Sequence, residues 1–248
     1  MTCECFYPQV IEARRSVRKY RVEGEIPREH LRVMMEAARR APTDATLHLW
    51  SAVRVPRGDA RRRISEAIGQ RHVWEAQEFF VFVADLYRLE RLLEYRGEEM
   101  GDVDRALLVF AAIDAGLAAE NMALAAVALG YGTCFIGGIQ NAAELVIRLL
   151  KLPRRTYPLF GLTIGVPGED PPLRPRLPLD MLFHEGEYRD YSGEQLAEAY
   201  RVMAPYSRRG DWLRILKRYV ARGGYFEERS KSMWRLLSSQ GFRGFGGD

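Results

Sequence analysis

The chain is predicted to fold as an α+β body with a helical C-terminal extension. Three observations point there. Four short apolar runs, rich in β-branched and aromatic residues, are spread among segments of helical periodicity. One long alanine- and leucine-rich stretch, Asp104–Gly130, is apolar on nearly every side, as a helix buried in a core or against a partner would be. After about Pro171 the strands give way to proline-rich coil and then to helices alone. The 248 residues admit one large domain or two small ones. The division expected is a main domain over 1–190 and an extension over 191–248 that packs on the same fold or on a second subunit.

Ile26-Pro27 leads into the first helix, which carries Leu31, Met34, Met35 and Ala38 on one face. Pro27 suits its first turn and Pro42 stops it. Ser51–Val55 reads as a strand closed by Pro56-Arg57-Gly58, and Asp59–Ile68 as a short arginine-rich helix. Glu78–Asp85 is a continuous aromatic and β-branched run, typical of a strand buried on both faces. Gly130-Tyr131-Gly132 ends the long helix, and Thr133–Ile136 is another buried strand. Gly137-Gly138 follows, and Asn141-x-x-Glu144 predicts a capping box that opens a helix over Ala142–Leu150. Leu159–Val166 is the fourth strand, closed by Pro167-Gly168. Leu173-Arg174-Pro175-Arg176-Leu177-Pro178 is extended, since proline cannot continue a helix. Ser192–Phe242 reads as amphipathic helices with no strand between them.

Composition narrows the function classes. Apolar residues make up 47% and charged residues 28%, which excludes disorder, collagen and coiled coil as descriptions of the whole chain. Only four of the 37 basic residues are lysine, yet the net charge is only +4 and acids are interspersed throughout. That scatter argues against a nucleic-acid binder, which concentrates its basic residues on one face. Cys3, Cys5 and Cys134 form neither a disulfide framework nor a four-ligand zinc set, and read as reduced thiols. No basic-then-apolar leader opens the sequence, and Asp114, Glu120 and Asn121 interrupt Ala106–Gly132, which is expected to fail as a membrane span. The expectation is a cytoplasmic protein with no membrane or nucleic-acid partner and no metal.

Three motifs carry chemistry. In an extended Arg14-Arg15-Ser16-Val17-Arg18, positions 14, 16 and 18 point the same way and set two guanidinium forks around a hydroxyl. Such a set suits one phosphate group, and spacing alone fits a solvated basic patch as well. Arg174-Pro175-Arg176 splays two further arginines from a stiff stem, as a phosphate ligand or as a surface proline loop. Phe135-Ile136-Gly137-Gly138 runs a strand into a glycine pair at a helix entrance, where a ligand can approach the backbone closely. Gly-x-Gly-x-x-Gly, Walker, Gly-x-Ser-x-Gly and His-Glu-x-x-His motifs are all missing, and His30, His48, His72 and His184 are isolated. This lack of acid–base machinery is compatible with chemistry borrowed from a cofactor.

In this order the segments resemble a nitroreductase-family flavoprotein, in the NADPH-preferring subgroup of oxygen-insensitive nitroreductases and flavin reductases. They are Arg15-Ser16-Val17-Arg18, Ile68-Gly69-Gln70-Arg71-His72-Val73, Phe79–Arg88, Asp114-Ala115-Gly116, Phe135-Ile136-Gly137-Gly138, Leu149-Leu150-Lys151-Leu152-Pro153, Pro158–Leu162 and Arg174-Pro175-Arg176-Leu177-Pro178. The resemblance implies a three-layer α+β sandwich with a mainly antiparallel sheet, built as an intertwined homodimer with FMN at the interface. It further implies an NAD(P)H oxidoreductase that passes hydride from NADPH through the flavin N5 to nitroaromatics, quinones or free flavin by a ping-pong route, with no catalytic side chain. Arg14, Arg15, Ser16, Val17 and Arg18 would contact FMN, with Arg174, Pro175 and Arg176 completing the phosphate site. Gln70 would bind the pyrimidine edge, the Gly137-Gly138 backbone would lie near N5, and Phe135 and Ile136 would belong to the same cofactor site. Thr43 and Asp44 would reach the flavin from the other subunit. Arg208 and Arg209, in a basic turn, would meet the NADPH 2′-phosphate. The loop Ala41–His48 departs from the asparagine and glutamine common there in the family, which leaves a non-catalytic flavin-binding protein as the alternative.

Overall fold

The computed structural model describes residues 6–206 and 211–245. The chain divides into two compact units, Met1–Pro171 with Trp234–Asp248, and Pro172–Met233. The chain passes from the first unit to the second at Pro171-Pro172, where two prolines in succession interrupt regular structure.

The first unit is built on a four-stranded sheet: β1 (Trp50–Arg54), β2 (Glu78–Asp85), β3 (Gly132–Ile136) and β4 (Thr156–Gly165), in the order β1-β2-β4-β3. All three pairings are antiparallel. Every residue of β2 is buried, as its unbroken apolar run requires of a central strand. Alternation along the strands then sorts two cores. Phe80, Phe82, Leu162 and Ile164 pack under α1 (Arg28–Arg39) and the long helix Asp104–Ala128. Phe79, Val81, Val83, Cys134 and Ile136 face the opposite way, with Ile64, Val73, Ile139 and Val146. These belong to α2 (Asp59–Ala67), α3 (His72–Glu75), the 3-10 turn Gly137–Ala142 and a later helix, Ala143–Leu150. The result is helices, sheet, helices.

The remaining helices of this unit are α4 (Tyr87–Glu94), α5 (Asp104–Ala128) and α6 (Ala143–Leu150). On α5, Ala111, Ala115, Ala118, Ala119, Ala123 and Ala126 are buried beside Met122, the small alanine side chains allowing a close approach to the sheet. Its other face carries Val109, Phe110, Ile113 and Leu117 exposed. By length and composition α5 is apolar enough to cross a membrane, contrary to the expectation from Asp114, Glu120 and Asn121; its buried alanines are those of a core helix. Two local expectations also fail. Met35 is exposed, because Leu31, Met34 and Ala38 already define the buried face and position 35 lies about 100° away from 34. Residues 137–142 wind into a 3-10 turn, so the N-cap of α6 falls on Ala142 and the helix starts at Ala143, one residue later than a cap at Asn141 would place it.

The second unit holds α7 (Gly193–Met203), α8 (Trp212–Tyr219) and the start of α9 (Tyr225–Ser239), whose end belongs to the first unit. Ser192 and Gln195 form a capping box on α7.

Candidate functional site

The arginine-rich N-terminal segment is seated by a glycine on β3. Val17 is buried, its N–H donates to the Thr133 carbonyl at 2.9 Å, and Ser16 pairs with Thr133 as a parallel bridge. A Cβ on Gly132 would stand 2.8 Å from Val17 Cγ2, so the close seating requires glycine. Val17 therefore turns inward while Ser16 and Arg18 turn outward. Arg14 is half-buried, its Nε 3.9 Å from the Glu120 carboxylate. Arg18 Nη1 donates to the Ser16 carbonyl at 3.1 Å, and the Arg18 and Lys19 N–H groups donate to Glu169 Oε1 at 2.6 and 3.0 Å. Arg15 is used otherwise: its Nε donates to the Pro171 carbonyl at 3.2 Å and its Nη1 to that of Glu12.

A second group forms where α2 ends. Gly69, at φ +64°, turns the chain. The Gln70 N–H donates to the Ser65 carbonyl at 3.0 Å, and Ser65 Oγ donates to the Gln70 carbonyl at 3.0 Å. Gln70 Nε2 lies 2.6 Å from where a Gly138 Cβ would stand, so the glycine pair and the amide meet only because position 138 has no side chain. A cavity of about 380 Å³, lined in part by Arg62, Ser65, Gln70, Arg71 and Trp74, opens beside them. Phe135 is half-buried, tilted against Phe160 at 5.7 Å, and Ile136 is a core residue.

Two buried polar atoms nearby have no protein partner, His72 Nε2 and Thr133 Oγ1. Burial lowers the His72 pKa below the ordinary imidazole value; the Arg18 charge adds to this, and Glu75 and Glu169 oppose it.

The loop before β1 is strained. Ala45, Thr46 and His48 have φ of 43°, 58° and 52°, in the left-handed region that costs energy for residues with a side chain. Buried Asp114 accepts from the Asp44 N–H at 3.0 Å, and Arg88 donates to the His48 and Trp50 carbonyls. Thr43 and Asp44 are half-buried.

Arg174 and Arg176 belong to the second unit. There the Arg174 guanidinium lies 4.9 Å over the Tyr206 ring, and Arg176 Nη1 donates to the Arg174 and Pro175 carbonyls at 3.3 and 3.1 Å. Arg208 and Arg209 lie outside the described residues.

Sequence reasoning missed Arg61, Ser65 and Glu169 as parts of this architecture, and singled out Asp114 only within the segment Asp114-Ala115-Gly116, without a role. For Arg61 a signal exists: with Ile64, Ser65 and Ile68 it shares the buried stripe of α2. Among the described residues no cluster of three metal-ligating side chains occurs. The arrangement offers donors for an anion and an amide beside an open backbone.

The Nitroreductase family model matches residues 11–166. An FMN reductase (NADPH) of Bacillus subtilis is 35% identical over 177 residues, 70% of this chain and 71% of that one. An oxygen-insensitive NADPH nitroreductase of Salmonella typhimurium is 35% identical over 197 residues, 75% of this chain and 79% of that one. Among solved structures, an NADPH:FMN oxidoreductase from Vibrio harveyi in complex with NAD+ superimposes with a TM-score of 0.84 at 30% identity, covering 95% of this chain and 98% of that one.

Proposed function

Because the chain belongs to the nitroreductase family, we propose that it binds FMN and acts as an NADPH-dependent oxidoreductase on nitroaromatics, quinones or free flavin. The observation that carries the reading is the meeting of the Gln70 amide with the Gly138 backbone, in the same unit as the outward-facing Ser16 and Arg18. The residues present fit the cofactor: a hydroxyl and guanidinium groups for a phosphate, an amide for a polar ring edge, and a bare backbone where a flat ring must approach. Unpartnered His72 Nε2 and Thr133 Oγ1 add polar capacity beside the arginine strand.

FMN, when bound, supplies hydride acceptance from NADPH and electron delivery to an electron-poor acceptor. The chain's own part is to bind and orient. Arg14, Ser16 and Arg18 hold the phosphate, and Gln70 fixes the polar edge of the ring. The Gly137-Gly138 segment lets the ring lie against the main chain. Arg15 and Val17 fasten this segment to the protein, through the Pro171 carbonyl and the seat on Gly132. Arg208 and Arg209 are assigned to the NADPH 2′-phosphate on sequence grounds.

Homodimerisation belongs to the same reading, supported by the exposed apolar stripe Val109, Phe110, Ile113 and Leu117 on α5. In it the loop of Thr43 and Asp44 reaches the flavin of the second copy. Cytoplasmic residence is supported by the small number and spacing of cysteines.

The test is an absorbance spectrum of purified protein before and after anaerobic NADPH. Flavin bands that bleach are the expected result; bands that persist with NADPH and NADH would leave a non-catalytic flavin binder. Arg18→Ala is expected to fold and to bind FMN about tenfold more weakly, the effect of one charge-assisted hydrogen bond. Arg176→Ala examines the second arginine pair in the same assay.

A further inference from the structure

Arg61 is a buried charge that the cofactor reading leaves unused. It is fully buried, and among the described residues no carboxylate pairs with it. Its Nε donates to the Val73 carbonyl at 2.7 Å, its Nη1 to that of Gln77 at 3.3 Å, and its Nη2 to that of Ala76. Burial and the charge of Arg57 push its pKa down to about 10. The Phe79 ring centroid lies 5.8 Å from its guanidinium carbon, yet a buried cation held by carbonyls and a ring, with no carboxylate, is costly, and an apolar side chain of similar volume would serve packing better.

The carbonyls it holds lie at the C-terminal end of α3, a four-residue helix too short to sustain itself. Arg57 supports the same end, its Nη2 donating to the Glu75 carbonyl at 2.9 Å. One turn along α2 from Arg61, Ser65 grips the other end of the segment through both of its bonds to Gln70. Gln70 and α3 are coupled as well, since the Val73 N–H donates to the Gln70 carbonyl at 3.0 Å. Residues 70–77 are thus clamped at both ends from one helix face, and the free end of that clamp is the Gln70 amide over Gly138.

We propose that Arg61 and Ser65 are positioning residues, which hold residues 70–77 so that the Gln70 amide meets the polar edge of the flavin ring. The inference rests on the flavin reading of Gln70.

The test is a mutant cycle of Ser65→Ala, Gln70→Ala and the double variant. The FMN dissociation constant is measured by fluorescence titration of the apoprotein, together with the midpoint potential of the bound flavin and the apoprotein melting temperature. Ser65→Ala is expected to raise the dissociation constant about fivefold and to shift the potential, and to do neither in the Gln70→Ala background. Equal effects in both backgrounds, or a lowered melting temperature with FMN binding unchanged, would overturn the proposal. Unchanged FMN binding by Gln70→Ala would remove the role of Gln70 and this proposal with it. FMN loss by Arg18→Ala would in that case leave the cofactor reading standing. Arg61→Lys, which cannot reach three carbonyls from one ammonium, is expected to match Ser65→Ala. If it fails to fold, the Ser65 cycle decides alone.

Discussion

Asp114, buried within α5, accepts a hydrogen bond from the Leu49 N–H at 3.2 Å. With its bond from Asp44 it spans the strained loop from one end to the other. Removing the carboxylate would leave two backbone N–H groups without their acceptor. Asp114→Ala is expected to cost about 2 kcal/mol, read from the urea midpoint, with Asp114→Asn between it and the parent. An unchanged midpoint would mean that the loop holds its left-handed residues by itself.

The fold disfavours the charged form of His72, because burial penalises it, with the Arg18 charge acting in the same direction. An unfolded histidine takes up a proton near pH 6.5, whereas the folded one resists until lower pH. The stabilisation is therefore complete above pH 6.5 and is lost as pH falls through the depressed folded value. The melting temperature should drop on acidification from about pH 7.5 to about pH 5.5, and His72→Gln should flatten that slope. Parallel slopes for the two proteins would place the acid sensitivity elsewhere.

At Gly132 an added methyl meets Val17. Gly132→Ala should cost about 1–3 kcal/mol by overpacking and weaken FMN retention, because it lifts the segment that bears Ser16 and Arg18. Trimming the opposing side chain is the control: Val17→Ala with Gly132→Ala should recover most of the FMN affinity. A double variant as weak as Gly132→Ala alone would argue against a steric cause.

Val109, Ile113 and Leu117 follow one another at one-turn spacing on α5, with Ile113 50% exposed. A carboxylate placed there would be stranded in an apolar seam. In the proposed homodimer the parent protein is a dimer by light scattering and Ile113→Asp is expected to be a monomer, with a melting temperature that is lower and independent of concentration. A mass unchanged by the substitution would move the seam to another surface.

Much of the first unit was legible because its signals are local. The run Glu78–Asp85 has the bounds of β2, and the alternation Ser16-Val17-Arg18 sorts those side chains correctly. The strand expected from Leu159 begins three residues earlier, at Thr156, and includes Pro158. The structure accommodates it where the register slips between Phe82 and Val83, a bulge that tolerates a residue with no N–H to donate. Helix α3 was invisible for a different reason, as four residues have no period and their carbonyls are held by Arg57 and Arg61 from elsewhere in the chain. The same holds for Asp114 and Ser65, whose importance lies in backbone partners that composition does not announce.

The seating of Val17 on Gly132 means that the arginine motif is not a portable cassette. Its five residues show two faces only because a strand far along the chain presents a bare backbone to the fourth of them, Val17. Grafted onto another scaffold without such a groove, the same five residues would lose their sidedness and become an ordinary basic tail.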